Sequence, residues 1–404
     1  MNTYSKLKEK FGIEPGKGDG ENLAYLTHFL QTKDNGVSHY FREKTEAYLN
    51  EMGTSINAEP DFQPNSGLQF DVPFPPAKNP KFTFIDLFAG VGGFRIAFQN
   101  LGGKCVFSSE IDVFAQKTYH ANFGEIPFGD ITKIDEKDIP EHDILLGGFP
   151  CQAFSIAGRK LGFEDTRGTL FFDVARIIKE KKPKAFFLEN VKGLVGHDRG
   201  KTLKTILNTL RNDLNYYVPE PEIVNAKDFG VPQNRERIFI AGFREDLNIS
   251  EFKYPEPIGK DFSFADVKEE KEVSVKYYLS NTYLKTLRAH RARHESKGNG
   301  FGFSIISDNE VANAIVVGGM GKERNLVYDS RLKKFKPVTN IKGRVNREGI
   351  RRMTPREWAR LQGYPDSFKI VVSDAQAYKQ FGNSVAVPAI QATGELIVKK
   401  LKIK

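Results

Sequence analysis

Between residues 82 and 243 five short apolar runs, FTFIDLF, KCVFSSEI, HDILLGGF, KAFFLENV and RIFIAGF, alternate with segments of helical spacing such as TLFFDVARIIKE and KTLKTILNTLRNDL. No other feature restricts the fold as much. Apolar strands too hydrophobic to face water on one side, each followed by a helix, imply βαβ units and a mainly parallel sheet covered on both faces. The fold class is therefore α/β, with the frame at 82–245. The amphipathic stretch at 370–404 is expected to rejoin that frame.

The rest of the chain has a different character. Residues 1–59 hold two stretches of helical spacing, around 22–32 and 39–52, and read as an N-terminal helical extension. Six prolines between 60 and 80 mark 60–81 as a linker. The segment 246–369 loses the strand–helix rhythm and becomes irregular. Residues 281–360 contain 18 Lys and Arg against 7 Asp and Glu, an excess of 11 that is larger than the net charge of +9 of the whole chain. A localised excess of this kind invites a polyanion, although a merely soluble surface has the same composition. No segment has the make-up of a signal peptide or a membrane span, so the cytoplasm is the expected compartment. Two cysteines cannot build a disulfide framework, and no metal site is expected. What residues 1–80 do is left open by the sequence, and catalysis is expected to survive deletion of 1–60.

Two groups of residues carry chemistry. FIDLFAGVGGF (84–94) has strand, glycine turn and helix start in the order that lets a backbone approach a nucleotide-like ligand. Glu110 follows the second expected strand and suits ribose hydroxyls, while Asp130 follows a third expected strand and suits an exocyclic amine. The glycines alone are as well explained by a structural turn. With both carboxylates in register they point to a nucleoside cofactor, with NAD and S-adenosylmethionine both open; the missing third glycine of GxGxxG disfavours a pyrophosphate. The second group starts at Cys151 in GGFPCQAF, after the expected fourth strand. Cys105 fits a buried, inert thiol, but Cys151 stands at a strand's carboxyl end, where open α/β sheets hold ligands. Glu189 and Asn190 end the next strand. Gln233, Arg235 and Arg237 alternate into another, so all three are expected on one side of it.

Taken together, FAGVGG, GGFPCQ, GTLFFDV, ENV, QNRER, RRMTPREWARLQGYPDSF and QFGNSVAVP resemble, in this order, the cytosine-5 DNA methyltransferases of bacterial type II restriction–modification systems. The extension and the KGNGFGF stretch (297–303) resemble the Dcm-like members. The resemblance implies a Rossmann-like S-adenosylmethionine-dependent methyltransferase domain with a smaller, irregular β-rich target-recognition domain at 246–369. It implies that Cys151, flanked by Pro150 and Gln152, adds to C6 of a flipped-out cytosine, that Glu189 binds N3 and the exocyclic amine, and that Arg237 and Arg235 steady the base. It assigns the cofactor to Phe88, Ala89, Gly90, Gly92, Gly93, Glu110, Ile111, Asp130, Ile131, Asn383 and Ser384. Ser155 and Arg167 fall in a segment that resembles the loop closing over DNA. Arg324, Asn325, Arg344 and Asn346 are expected to meet bases or phosphates. The implied partner is double-stranded DNA, the enzyme a DNA-associated monomer, and a cognate endonuclease a functional partner.

Three rivals share parts of this pattern. A transfer-RNA cytosine methyltransferase would have the same pocket but a smaller insertion and CysPheThr in place of CysGlnAla. An NAD-dependent oxidoreductase gives no reason for Cys151, Glu189 and Arg237 together. A catalytically inactive DNA-binding homologue would lack one of those three, and none is missing.

Overall fold

The structure, a computed structural model, describes residues 20–32, 36–51, 72–150, 170–298, 302–318, 321–338 and 341–403. Each of the five apolar runs forms a strand of one seven-stranded sheet: β1 (Phe82–Leu87), β2 (Gly103–Ser109), β3 (Ile144–Gly148), β4 (Ala185–Val191) and, with β5 (Tyr216–Tyr217) and β6 (Glu222–Asn225) beside it, the long strand β8 (Glu236–Arg244). The short β7 (Gln233–Asn234) lies just before β8 and belongs to a separate two-stranded pairing. The order is β2-β1-β3-β4-β8-β5, with β6 also on β8. The strands β2, β1, β3 and β4 pair in parallel, and β8 runs antiparallel to β4, β5 and β6. Six strands thus run one way and β8 alone runs against them. That reversal brings the start of β8, rather than its end, to the carboxyl ends of β3 and β4.

Successive side chains on a strand point to opposite faces, and the core divides accordingly. Phe84, Ile144, Leu146 and Phe187 enter one apolar cluster and Ile85, Leu87, Leu145, Phe186 and Leu188 the other. The first face is covered by α3 (Gly93–Asn100), α4 (Val113–Phe123), α9 (Asp374–Asn383) and α10 (Val387–Lys400). Contact is close enough that a Cβ on Gly394 of α10 would stand 2.9 Å from the Phe98 ring of α3. The C-terminal stretch therefore returns to the sheet. The second face is covered by α5 (Leu170–Lys181) and α6 (Lys201–Asn208), and also by the N-terminal helices α1 (Gly20–Thr32) and α2 (His39–Glu51). No helix among the described residues is long and apolar enough to cross a membrane.

One expected strand is barely present. The run before Asp130 touches β2 through a single parallel bridge, Ser109 to Phe128, so Cys151 follows the third strand of the chain and not the fourth. Within 246–369 the strands are short: β9 (Ile305–Ile306), β10 (Ala312–Asn313), β11 (Leu326–Tyr328) and β12 (Ile350–Arg352). The segment also contains α7 (Asn281–Glu295), 15 residues long, which the sequence did not foretell. It is followed by α8 (Pro355–Leu361), whose Thr354 and Glu357 form a capping box.

Candidate active site

The turn after β1 is shaped by backbone geometry before any ligand is considered. Phe88, Gly90 and Gly92 all have positive φ, of 57°, 56° and 86°. For Phe88 that conformation is strained, and strain of this kind gathers at ligand-binding turns. Gly92 is irreplaceable for a local reason, since an added Cβ would sit 2.2 Å from the Phe123 ring. At Gly90 the reverse holds: a Cβ there meets nothing within 4 Å. Ala89 ties the turn to β2 by donating its N–H to Ser109 O. Gly93 is pressed against Val385, Tyr364 and Ser384.

Glu110 closes this turn. Its Oε2 accepts from Gly90 N–H at 2.8 Å and its Oε1 from Asp112 N–H at 2.7 Å. Burial raises its pKa while those two N–H groups oppose the rise. A carboxylate held on one side by two main-chain donors keeps further lone pairs for hydroxyl groups. Beside it Ile111, Val113 and Phe114 are exposed, Ile111 by 69%, as a ledge suited to the face of a flat ring. Asp130 is half-buried and caps a single turn, its Oδ1 accepting from Thr132 N–H and Oγ–H. Ile131 is different: its side chain is 3% exposed, packed in the core beneath the sheet, so only its main chain can face a ligand. The open space over Gly90, the carboxylate of Glu110 and the apolar ledge together fit a nucleoside-bearing cofactor.

The second centre lies where β3, β4 and the start of β8 converge. Pro150 is exposed just beyond β3, while Cys151, Gln152, Ser155 and Arg167 lie outside the described residues. The approach to Cys151 is nevertheless fixed. Asn190 at the end of β4 donates from Nδ2 to Phe149 O at 2.8 Å, clamping the two strand ends together. Glu189, 8% exposed, faces Arg237 with Nε to Oε1 at 3.1 Å, because the antiparallel register sets Val191 opposite Arg237. Burial pushes the Glu189 pKa above the usual carboxyl range, against the pull of Arg237 and Arg235. A raised carboxyl pKa favours the protonated form, which can donate a hydrogen bond.

Arg235 serves another purpose than expected. It is 3% exposed and spends its donors on the carbonyls of Ile315, Gly382 and Ser384. It is a strut joining the sheet, the 311–318 segment and the loop before α10, which leaves Arg237 to face the pocket. Gln233 acts alike, bridging Leu361 O and Ile315 N–H. The C-terminal return is pinned by matching bonds: Thr118 to Gln380, Gln380 to Phe114 O, and Asn122 to both polar groups of the Lys369 main chain. Ser384 is thereby held with its hydroxyl 2.6 Å from Tyr364 Oη, against the glycine turn, and Asn383 is exposed beside it.

Two of the residues expected to read bases cannot do so in this arrangement. Asn325 is fully buried, accepting from Asn313 N–H and donating to Asn313 O. Asn346 is fully buried as well and bonds Leu279 O and both polar main-chain atoms of Ile350. Their amides hold loops in place. Arg324 and Arg344 are exposed. Sequence reasoning missed Asp86, whose carboxyl is fully buried under the glycine turn with no hydrogen-bond partner on either oxygen among the described residues. Burial pushes its pKa up to about 8 against the opposing charge of Arg95. The available signal was an acid inside an otherwise apolar strand, FTFIDLF. Cys105, by contrast, is fully buried and its thiol pKa is raised by burial, as an inert cysteine should be.

A glycine turn closed by a carboxylate, beside a second carboxylate paired with arginine at neighbouring strand ends, fits a two-substrate site on an α/β sheet. The profile of C-5 cytosine-specific DNA methylases matches residues 82–399, starting at β1. The chain belongs to that family and is a DNA cytosine-5 methyltransferase. It is similar to the type II methyltransferase M.HpaII of Haemophilus parainfluenzae, 71% identical over 334 residues that cover 81% of this chain and 93% of that protein. It is 44% identical to the type II methyltransferase M.HhaI of Haemophilus parahaemolyticus, over 80% of this chain and 95% of that one. Among solved structures, S. pombe Dnmt2 superposes with a TM-score of 0.62 at 18% identity, covering 80% of this chain and 99% of that one, which speaks to the fold alone. Members of this family take their methyl group from S-adenosylmethionine.

Proposed function

We propose that this protein methylates carbon 5 of one cytosine within a short, specific double-stranded DNA sequence and so protects host DNA as the modification half of a restriction–modification system. The observation that carries the reading is the pair of buried Glu189 with half-buried Arg237 at the mouth of β3 and β4, one residue from the clamp on Phe149 that leads into Pro150 and Cys151. Carbon 5 of cytosine is a poor nucleophile until the ring is disturbed. The Cys151 thiolate adds to C6, and the pair of electrons displaced from the C5–C6 bond moves into the ring. Glu189, with its raised pKa, hydrogen-bonds N3 and the exocyclic amine and stabilises that charge. Arg237 keeps the Glu189 carboxyl oriented. S-adenosylmethionine, when bound, supplies an electrophilic methyl group to carbon 5. A base then removes the C5 proton and the thiolate leaves, restoring the ring.

Glu110 is assigned to the ribose, Asp130 and the ledge at Ile111 to the adenine, and Gly90 with Phe88 to the methionine end, with Asn383 and Ser384 closing the site. A base stacked in a duplex cannot reach a pocket between strand ends, so the target is flipped out. Residues 82–245 with 370–404 form the catalytic domain, and 246–369 is the target-recognition domain, whose cations meet phosphates. The enzyme works as a monomer, with a cognate endonuclease as its functional counterpart. Base-resolution sequencing of unmethylated genomic DNA and of total RNA, each incubated with protein and S-adenosylmethionine, tests this reading. The expected result is 5-methylcytosine in one short DNA motif, none with Cys151→Ala, and a rate lower by about 10²–10³-fold with Glu189→Gln. Methyl groups in RNA alone would overturn it in favour of the transfer-RNA branch.

A further inference from the structure

The N-terminal helices do more than shield the sheet. Strand β2 is an edge strand, and an edge leaves main-chain donors without partners. One face of α1 caps one such donor on β2 and reaches the neighbouring segments beside it. His28 accepts the Ser108 N–H on its Nε2 at 3.2 Å while its Nδ1 meets Ala24 O at 2.8 Å. Thr27 Oγ1 accepts the Ile126 N–H at 3.1 Å. Gln31 donates to Phe123 O at 2.7 Å and accepts from Arg95 Nη2 at 2.9 Å. All three side chains are buried.

What these bonds hold is specific. Ser108 lies two residues before Glu110, and Ile126 four before Asp130. The two runs are zipped together, Phe128 N–H to Ser108 O and Glu110 N–H to Phe128 O. Arg95 stands on the first turn of α3, directly behind the glycine turn, and its guanidinium is fixed by Glu125 at 2.8 Å, Tyr119 at 2.9 Å and Gln31. Glu125 is in turn bonded to Ser108 Oγ. One buried network therefore runs from α1 to each of the three backbone segments that present Glu110, Asp130 and Gly90. Buried hydrogen bonds of this kind favour one geometry, and removing one acceptor strands a main-chain N–H in the core.

We propose that α1 is a positioning element of the cofactor site, acting through His28, Thr27 and Gln31 on the segments that carry Glu110, Asp130 and the glycine turn. The inference rests on the assignment of those residues to S-adenosylmethionine. It gives part of the extension, whose deletion is expected to leave catalysis in place, a role in cofactor affinity.

The test is equilibrium dialysis of S-adenosylmethionine against the full chain, paired with methyl-transfer kinetics on duplex DNA. His28→Ala and Thr27→Val are expected to raise the dissociation constant about tenfold each, equivalent to about 1.4 kcal/mol. At saturating S-adenosylmethionine, kcat and the KM for DNA should stay within about twofold of the parent, because the Glu189 and Arg237 strand ends are not touched by this network. His28→Gln, which keeps an acceptor, should recover most of the affinity. Leu49→Ala, in the core of α2 and without a hydrogen bond to either segment, separates positioning from general loosening: it should lower the melting temperature yet leave the dissociation constant in place. Folded His28→Ala with parental affinity would overturn the proposal, as would a loss of affinity that follows melting temperature equally in all variants. A parent protein that binds no S-adenosylmethionine would bring down the cofactor assignment itself, an outcome readily told apart from either.

Discussion

Asp86 is a carboxyl group in the wrong solvent. In water its pKa would be near 3.8, and burial beneath the glycine turn pushes it up to about 8, so the folded chain holds this proton more tightly than the unfolded chain does. Its contribution to stability is therefore complete below the ordinary carboxyl range and is lost as the pH rises through 8. Asp86→Asn removes the ionisation, and urea midpoints at pH 5 and pH 9 should show a smaller decline for the variant than for the parent. Parallel declines would mean that the carboxyl is partnered or hydrated in solution. Asp86 also marks a limit of reading residues singly. A strand such as FTFIDLF announces that its acid is buried, but not which charge, if any, stands near it. The same limit governs Asn325 and Asn346: an asparagine amide serves a base edge or its own backbone equally well, and only the surrounding carbonyls decided for the backbone.

Among the elements, α7 has a division of faces that suits a polyanion. Leu284 and Leu287 are its buried side chains, and on the opposite face at 3.6 residues per turn stand Thr282, Lys285, Thr286, Ala289, Arg293 and Ser296, with Lys297 one turn beyond, all exposed. Arg288 and Arg291, nearer the packed side, are neutralised by Glu348 and Glu295. Lys285, Arg293 and Lys297 have no carboxylate partner among the described residues, and the threonines, alanine and serine between them allow close approach. Replacing the three cations with Gln should lower the slope of log affinity for duplex DNA against log salt by about 2.7, or about 0.9 for each phosphate no longer neutralised. An unchanged slope would place the phosphate contacts elsewhere. Two apolar anchors in fifteen residues are too few to produce a visible helical period, which explains why this helix was hidden in the sequence while α5, with its regular apolar spacing, was plain.

At the scale of the molecule, the basic segment is held together internally by buried charge. Arg351 on β12 bonds Asp329 at 2.9 Å and both oxygens of Glu357, which in turn accepts from Thr354 N–H at the start of α8. Arg351→Ala would leave Glu357 buried without its cation, while Asp329 keeps Arg331 at 2.7 Å, a loss expected to cost about 3–5 kcal/mol. Urea unfolding should register it, and filter binding should show DNA affinity falling while S-adenosylmethionine affinity holds. Equal losses of both would mean that the network supports the whole fold alike. How the parts divide between sequence and structure follows from the range of the forces involved. The five main strands, the glycine turn at 88–93 and the placing of Glu110 and Glu189 at strand ends depend on local periodicity and nearest neighbours, so the sequence by itself determined them. The reversal of β8 that pairs Arg237 with Glu189, the conversion of Arg235 into a strut, and the docking of α1 beneath the cofactor strands depend on contacts between residues 48 to 149 positions apart. Such contacts carry no local pattern, because what selects them is the burial of one surface by another, and only the tertiary structure could decide them.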